Sequence, residues 1–77
     1  GSTFKNPEGM FSARLIIEAG MQGVQIGGAQ ISMKHPNFVV NHGNAKFEDV
    51  INLVTEVKKA VKEKSGVELH EEIIIVK

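Results

Sequence analysis

Residues 1–7 bring three different functional groups into one short polar run. Ser2 supplies a hydroxyl, Lys5 an ammonium and Asn6 a carboxamide, and Pro7 ends the run. A cation beside hydrogen-bonding groups suits an anionic ligand such as a diphosphate, or a sugar amide. A structural interpretation is also open, in which Lys5 is solvated and Asn6 stabilises a turn before the proline. The residues of this run do not decide between the two.

Four further segments narrow the protein families that the first segment could indicate. They lie at residues 27–30, 34–38, 40–41 and 66–72. Read in this order with the block Gly-Ser-x-Phe-Lys-Asn-Pro, they resemble the C-terminal substrate-binding domain of UDP-N-acetylenolpyruvoylglucosamine reductase, a flavoenzyme of peptidoglycan synthesis. The resemblance runs from Gly1 to about Val76. It implies that residues 1–77 form a single C-terminal domain of a larger enzyme.

The resemblance implies an FAD-dependent, NADPH-using reductase that converts UDP-N-acetylglucosamine enolpyruvate to UDP-N-acetylmuramate. In such an enzyme a hydride passes from NADPH through FAD to the enolpyruvyl group, and the serine that matches Ser2 then protonates the carbanion. Because a carbanion is a strong base, the hydroxyl needs correct placement more than a shifted pKa. Gly-Ser at a chain start is also a common remnant of a protease site, but the spacing to residues 4–7 favours a native Ser2.

The same resemblance implies a division of labour between domains. Flavin-binding domains would precede Gly1, so this chain is expected to bind no cofactor itself and to be inactive alone. The implied partners are the UDP-sugar substrate and those N-terminal domains. The implied location is the cytoplasm.

Three residues are expected to contact the substrate on the strength of the resemblance. The asparagine that matches Asn6 lies against the UDP-sugar, and Lys5 binds there or supports the loop. Gln30 would hydrogen-bond the ligand from a segment where Gly27 and Gly28 allow a close approach of the backbone. A plain β-turn explains these glycines equally well.

Glu72 matches the second catalytic residue of the family, a carboxylate that stabilises or protonates the enolic intermediate. Glu71 stands where the family commonly has proline, and Ile74 where it often has arginine, so the local charge balance differs. Glu71 and Glu72 are also readable as one outward and one inward position of an edge strand. A buried carboxylate is costly, so an inward Glu72 beside the apolar run 73–76 would itself indicate a site.

The surrounding pattern predicts the elements that hold these residues. A short helix is expected at about 12–19, capped by Ser12, and a long one at about 45–64 that ends before Gly66. The apolar stripe of the long helix is expected at Phe47, Val50, Ile51, Val54, Val57 and Val61. Strands are expected at 22–28 and 29–34 around a Gly27–Gly28 turn, at 38–40 as a buried strand, and at 67–76. The order predicts an α+β, two-layer sandwich, with one mostly antiparallel sheet packed by two helices.

Composition narrows the function classes. Nine basic residues balance nine acidic ones, so no overall positive field favours nucleic acid or anionic lipid. No stretch approaches the ~20 apolar residues of a membrane span. The chain has no cysteine, and its three histidines are dispersed, so no metal site is expected. His35 is a candidate for supporting the pocket.

One alternative of another class is a small KH-like module that binds single-stranded nucleic acid. Gly20 and Gly23 satisfy the Gly-x-x-Gly spelling of a loop that clamps a nucleotide backbone. Such a loop works with basic neighbours, whereas Met21 and Gln22 carry no charge. The residues favour the reductase domain, and a scaffold role stays open only if the resemblance is accidental.

Overall fold

The computed structural model describes residues 2–72. In chain order it contains helix α1, a hairpin of strands β1 and β2, strand β3, and helix α2. Their bounds are Ser12–Glu18, Gln25–Ile26, Ala29–Ile31, Val39–Asn41 and Phe47–Ser65. The strands form an antiparallel sheet in the order β1-β2-β3. This confirms the predicted α+β sandwich with its two helices.

Helix α2 is the element that organises the core. Its apolar residues recur three and four positions apart, which places them on one face, and Leu53, Val54, Val57 and Val61 are buried there. The helix packs against α1 and against β1 and β2. It ends at Gly66, which has a left-handed φ of 73° and donates its N–H to the Lys62 carbonyl. The predicted bounds of 45–64 are therefore correct to within about one turn.

The hairpin presents alternate side chains to the two sides of the sheet. Ile26 pairs with Ala29 across the two-residue turn at Gly27 and Gly28, as predicted. Ala29 and Ile31 are buried against the helices, whereas Gln30 between them is only half-buried. This period of two follows from the pleat of a β-strand.

Three sequence predictions about this architecture were wrong. Strand β3 is not buried: it begins at Val39, and Val40 and Asn41 are exposed, because within residues 2–72 β3 is the sheet edge and pairs only with β2. Leu53 was left out of the predicted stripe, yet it is fully buried. Ser12 is the first residue of α1 and not its cap, because its N–H donates to the Asn6 side chain.

The last predicted strand is only partly represented. Within residues 67–72, a single antiparallel bridge joins Glu71 to Phe4, and residues 73–76 of the prediction lie outside the described range. Within residues 2–72, no helix is long and apolar enough to cross a membrane.

Candidate functional site

The polar N-terminal segment is held on one side by the residues before the C-terminus. Glu72 donates its backbone N–H to the Thr3 carbonyl at 2.8 Å, and Lys5 donates its own to the His70 carbonyl at 2.9 Å. These two bonds place Thr3 opposite Glu72. Ser2 is the residue before Thr3. The structure therefore brings Ser2 and Glu72, the two predicted catalytic residues, to the same end of the two paired segments.

The other side of the segment is held by Asn37, a buried asparagine far away in sequence. Its carboxamide accepts from the Phe4 N–H at 2.9 Å and donates to the Phe4 carbonyl at 2.8 Å. Its backbone carbonyl accepts the Thr3 N–H at 2.7 Å. The bridge between Phe4 and Glu71 leaves both backbone groups of Phe4 facing away from Glu71, so the Asn37 side chain acts as a short third strand.

An open groove of about 360 Å³ lies beside this segment. Ser2 and Asn6 line it together with Lys34, His35 and Phe38. The His35 ring is tilted against the Phe38 ring, with centroids 5.7 Å apart. A hydroxyl, a carboxamide and two groups that can carry positive charge therefore meet around one space, which suits an anionic ligand with hydrogen-bonding groups.

Asn6 has a structural task besides any contact with a ligand. Its Oδ1 accepts the Ser12 N–H at 2.9 Å, while the Ser12 hydroxyl donates to the Lys5 carbonyl at 2.8 Å. These bonds fix the loop onto the start of α1. The Asn6 oxygen is committed to the helix, so its amide NH₂ is the group that can bind a ligand. Lys5 is exposed and is not among the residues lining the groove.

Gln30 is not brought into this groove. It sits in β2, in register with Gln25 and Val40, and its Nε2 donates to the Gly23 carbonyl at 3.0 Å. Its side-chain oxygen remains the acceptor available to a ligand. A contact between Gln30 and a substrate would therefore lie outside the groove that Ser2 lines.

Of the two glutamates near the C-terminus, the sequence interpretation considered Glu72 as the inward one. In the structure Glu71 is the more buried of the two. Glu71 is half-buried and accepts a 2.8 Å hydrogen bond from Lys58 Nζ on α2. That hydrogen bond from Lys58 lowers the pKa of the Glu71 carboxyl. Glu72 is exposed, so the cost of an inward carboxylate gives no support to a site there. Any catalytic role of Glu72 depends on its position opposite Thr3, the residue that follows Ser2.

The Gly-x-x-Gly loop is a connection between α1 and β1, held by its own backbone. Met21 donates its N–H to the Ile16 carbonyl, and Gly23 donates to the Ile31 carbonyl. The Gln22 side chain donates to the Met33 carbonyl at 2.6 Å. Met21 packs against the core. Nothing here supports the nucleic-acid alternative.

Helix N-termini are ready anion sites when their N–H groups are available, but within residues 2–72 a side chain already accepts from a backbone N–H at the start of each helix. Asn6 fills the start of α1. At α2, Asp49 Oδ2 accepts from Lys46 N–H at 3.0 Å and from Gly28 N–H at 3.2 Å. These bonds lower the pKa of Asp49, and its negative charge would repel a phosphate. Across residues 2–72 there is also no group of metal-ligating side chains.

Comparison with known proteins decides the family. A family model described as "UDP-N-acetylenolpyruvoylglucosamine reductase, C-terminal domain" matches residues 1–76. The chain belongs to this family. The match includes Ser2 and the block of residues that follows it, in agreement with the sequence resemblance.

Individual relatives give the same result. A UDP-N-acetylenolpyruvoylglucosamine reductase of Fusobacterium nucleatum is 65% identical over all 77 residues, which are 27% of its length. The reductase of Caldanaerobacter subterraneus is 55% identical over 76 residues, 99% of this chain and 25% of that protein. The chain thus spans about a quarter of the length of these relatives.

A solved structure confirms the fold. The crystal structure of UDP-N-acetylenolpyruvylglucosamine reductase (MurB) from Thermus caldophilus aligns with a TM-score of 0.75 and 44% identity, covering 94% of this chain and 26% of that one. At this identity the likeness extends beyond the fold to the sequence. We therefore interpret the groove as part of a reductase C-terminal domain.

Sequence reasoning missed the part played by Asn37. Segment 34–38 contributed to the resemblance, and His35 was a candidate for the pocket, but Asn37 had no assigned task. A usable signal was present, because Asn37 lies between Pro36 and an apolar run of Phe38 to Val40. A polar residue drawn into an apolar segment needs a hydrogen-bond partner, although the sequence does not say which.

Proposed function

We propose that this chain is the substrate-binding domain of a reductase that converts UDP-N-acetylglucosamine enolpyruvate to UDP-N-acetylmuramate, with Ser2 as the proton donor. The observation that carries the proposal is the groove that Ser2 lines together with Asn6, Lys34 and His35. The backbone of Glu72 is hydrogen-bonded to Thr3, the neighbour of Ser2. The family membership supplies the reaction. The domain supplies a proton and a surface for the UDP-sugar.

Ser2 is suited to this task by position. Reduction of the enolpyruvyl double bond adds a hydride to one carbon and leaves negative charge on its neighbour. The Ser2 Oγ–H gives its proton to that neighbouring carbon, and solvent afterwards restores the hydroxyl proton. The donor must lie within about 3 Å of the carbon that it protonates. The backbone of Thr3 and Phe4, which follow Ser2, is hydrogen-bonded, and this limits how far the hydroxyl can move.

Glu72 acts on the same intermediate from the paired segment. Its side chain is exposed and one residue removed from Ser2 across the pair, so it can meet a ligand that covers this end of the domain. We assign it the stabilisation or protonation of the enolic form. A carboxylate facing an enolate must be protonated or accompanied by a cation, because like charges repel.

Asn6 and Lys5 contribute to binding the UDP-sugar, Asn6 through its amide NH₂ and Lys5 as a point charge. Gln30 would contact the ligand through its remaining acceptor, away from the Ser2 groove. FAD and NADPH belong to the rest of the enzyme, in flavin-binding domains N-terminal to this chain, and the domain is inert without them. Through peptidoglycan synthesis the enzyme serves cell-wall biogenesis, cell shape and division, and its place is the cytoplasm.

The test is Ser2→Ala in the full-length enzyme, followed as NADPH oxidation driven by the enolpyruvyl substrate. Loss of one positioned acid costs about 100-fold or more in kcat, while KM should change little. Ser65→Ala is the matched control, because the Ser65 hydroxyl bonds only the Val61 carbonyl at the end of α2. A Ser2→Ala enzyme with the kcat of the parent would refute the proposal.

A further inference from the structure

We infer that Asn37, which also lines the groove, is a positioning residue for Ser2 and fixes the proton donor through the backbone of residues 3 and 4. This inference rests on the proposed function of Ser2. It assigns a task to a buried side chain that lies 33 residues from Phe4 in sequence.

The Asn37 side chain bonds to Phe4 as the backbone of a neighbouring β-strand would. Both the acceptor and the donor of the Asn37 carboxamide are used on a single residue, Phe4, at 2.9 and 2.8 Å. The Asn37 backbone carbonyl adds a third bond, to Thr3. Three bonds to two consecutive residues leave the adjacent Ser2 little freedom.

The turn that carries Asn37 is itself fixed. Phe38 donates its N–H to the His35 carbonyl at 2.9 Å. The Ser32 hydroxyl oxygen accepts from the N–H groups of Lys34 and His35 at 3.1 and 2.9 Å. Asn37 is only 8% exposed. A short side chain on such a turn can transmit its position to Phe4, whereas a longer or flexible one could not.

No other side chain of similar size reproduces the contact at neutral pH. Aspartate keeps an acceptor for the Phe4 N–H, but its ionised carboxylate has no hydrogen for the Phe4 carbonyl. A protonated aspartic acid has both groups and mimics the carboxamide. Leucine has neither. Asn37→Asp therefore makes the contact depend on pH, and Asn37→Leu removes it at every pH.

The test uses the full-length enzyme. In Asn37→Asp we expect kcat close to the parent in acid and falling as the new carboxyl ionises, by about 100-fold, the effect of a displacement of about 1 Å. KM should change far less. Asn37→Leu should show the same loss throughout, with an increased solvent deuterium isotope effect on kcat because proton transfer has become slower.

Controls must separate this loss of kcat from the titration of other groups and from unfolding of the variant. Lys34 and His35 lie on the same turn, and Lys5, His70 and Glu72 lie on the paired segments; all are unchanged in the variants, so the parent profile accounts for them. Asn52→Asp, on the exposed face of α2, adds the same charge away from the groove and should leave the parent profile unchanged. Thermal melting gives the folded fraction at each pH.

The outcomes distinguish this inference from the proposed function. If Ser2→Ala keeps the parental kcat, the role of Ser2 itself is wrong. If Ser2→Ala is inactive but both Asn37 variants keep the parental kcat and isotope effect once corrected for folded fraction, only the positioning role is wrong. A loss in Asn37→Asp that acid restores, together with the larger isotope effect in Asn37→Leu, supports it.

Discussion

The polar residues around the N-terminal segment differ in burial and in what their side chains bind. Asn37 and Ser12 are buried, and their side chains bond to the N-terminal segment. Ser2 and Glu72 lie at the same end with more exposed side chains. The sequence motif singled out the second pair as candidates, because those residue types match the family. It could not predict Asn37, because that contact depends on a segment far away along the chain.

Asn6 combines the two tasks, and substitutions can separate them. Asn6→Asp keeps an oxygen for the Ser12 N–H, and a negative charge at a helix start is favourable, so thermal stability should be retained. The NH₂ donor is lost, so KM for the UDP-sugar should rise. Asn6→Ala should raise KM and also destabilise by about 1 kcal/mol through loss of the cap. An unchanged KM in Asn6→Asp would show that Asn6 only caps α1.

The acid sensitivity of the fold should follow from Glu71. Its folded pKa is lowered from 4.5, first by the hydrogen bond from Lys58. A lowered pKa contributes stability that is present above the unfolded value and is lost as pH falls through the folded one. Glu71→Gln should therefore cost less than about 1 kcal/mol at neutral pH, because the pair is partly exposed. The cost should shrink in acid.

Urea denaturation at neutral pH and below the ordinary Glu71 pKa of 4.5 measures this difference. Glu56→Gln, on the exposed side of α2, removes the same charge without the Lys58 contact. An equal loss in both variants at both pH values would mean that the Lys58–Glu71 pair contributes nothing specific. Asp49 has a lowered pKa too, so the parent protein should lose stability in acid even without Glu71.

At the scale of the elements, local signals were reliable where one residue type fixes the backbone. The hairpin turn and the end of α2 were predicted from their glycines, and the long helix from its apolar spacing. The prediction failed where the outcome depended on neighbours in space. The segment from Phe38 to Val40 is apolar, yet strand β3, which begins at Val39, is an edge of the described sheet, and its residues Val40 and Asn41 are exposed. Its burial could not be read from its own sequence.

Gly28 tests how tightly the hairpin is packed on the loop before α2. A Cβ at this position would lie 2.7 Å from the Ala45 Cα and closer still to the Gly43 carbonyl oxygen. Both are backbone atoms, so the loop would have to shift. Gly28→Ala should cost about 1–3 kcal/mol.

Gly66→Ala is the control for that substitution. Gly66 has a φ of 73° with no atom near its added Cβ, so alanine there meets only the left-handed strain of roughly 1 kcal/mol. Chemical denaturation of both variants separates the two causes. If Gly28→Ala costs no more than Gly66→Ala, the hairpin and the loop adjust to one another, and the close approach at Gly28 is not needed for stability.

On the scale of the whole molecule, a small core has to hold together a site made from distant parts of the chain. Residues 2–6, 34–38 and 70–72 meet only because the helices and sheet bring them together. Leu53 is fully buried at the centre of this core. Leu53→Ala should cost about 2–5 kcal/mol, a large part of the stability of a domain this size.

Ile17→Ala gives the comparison for Leu53. Ile17 is another large apolar residue, but it is 47% exposed on α1. Its truncation removes less buried surface and should cost well under the value for Leu53. Thermal unfolding of the isolated chain measures both. Equal losses of stability would mean that the buried Leu53 stabilises the fold no more than the exposed Ile17 does.

The isolated chain also tests whether the substrate surface is formed without the rest of the enzyme. The backbone around Ser2 and Asn6 is fixed by hydrogen bonds within the described residues. We therefore expect localised amide shifts at these residues when UDP-N-acetylglucosamine is added to labelled protein. Shifts at Gln30 would show a second contact. Single-stranded RNA should shift nothing around residues 20–23, because that loop is tied to the core and carries no positive charge.

Each result of that titration has a different meaning. Shifts with the sugar nucleotide at Ser2 and Asn6 would mean that this surface is preformed in the isolated chain. Movement at residues 20–23 with RNA alone would contradict the proposed function. Silence with both ligands would mean that binding energy comes mainly from the rest of the enzyme. In that case the kinetics of Ser2→Ala in the full-length protein decide the role of the hydroxyl, because catalysis reports the transition state even where ground-state binding is weak.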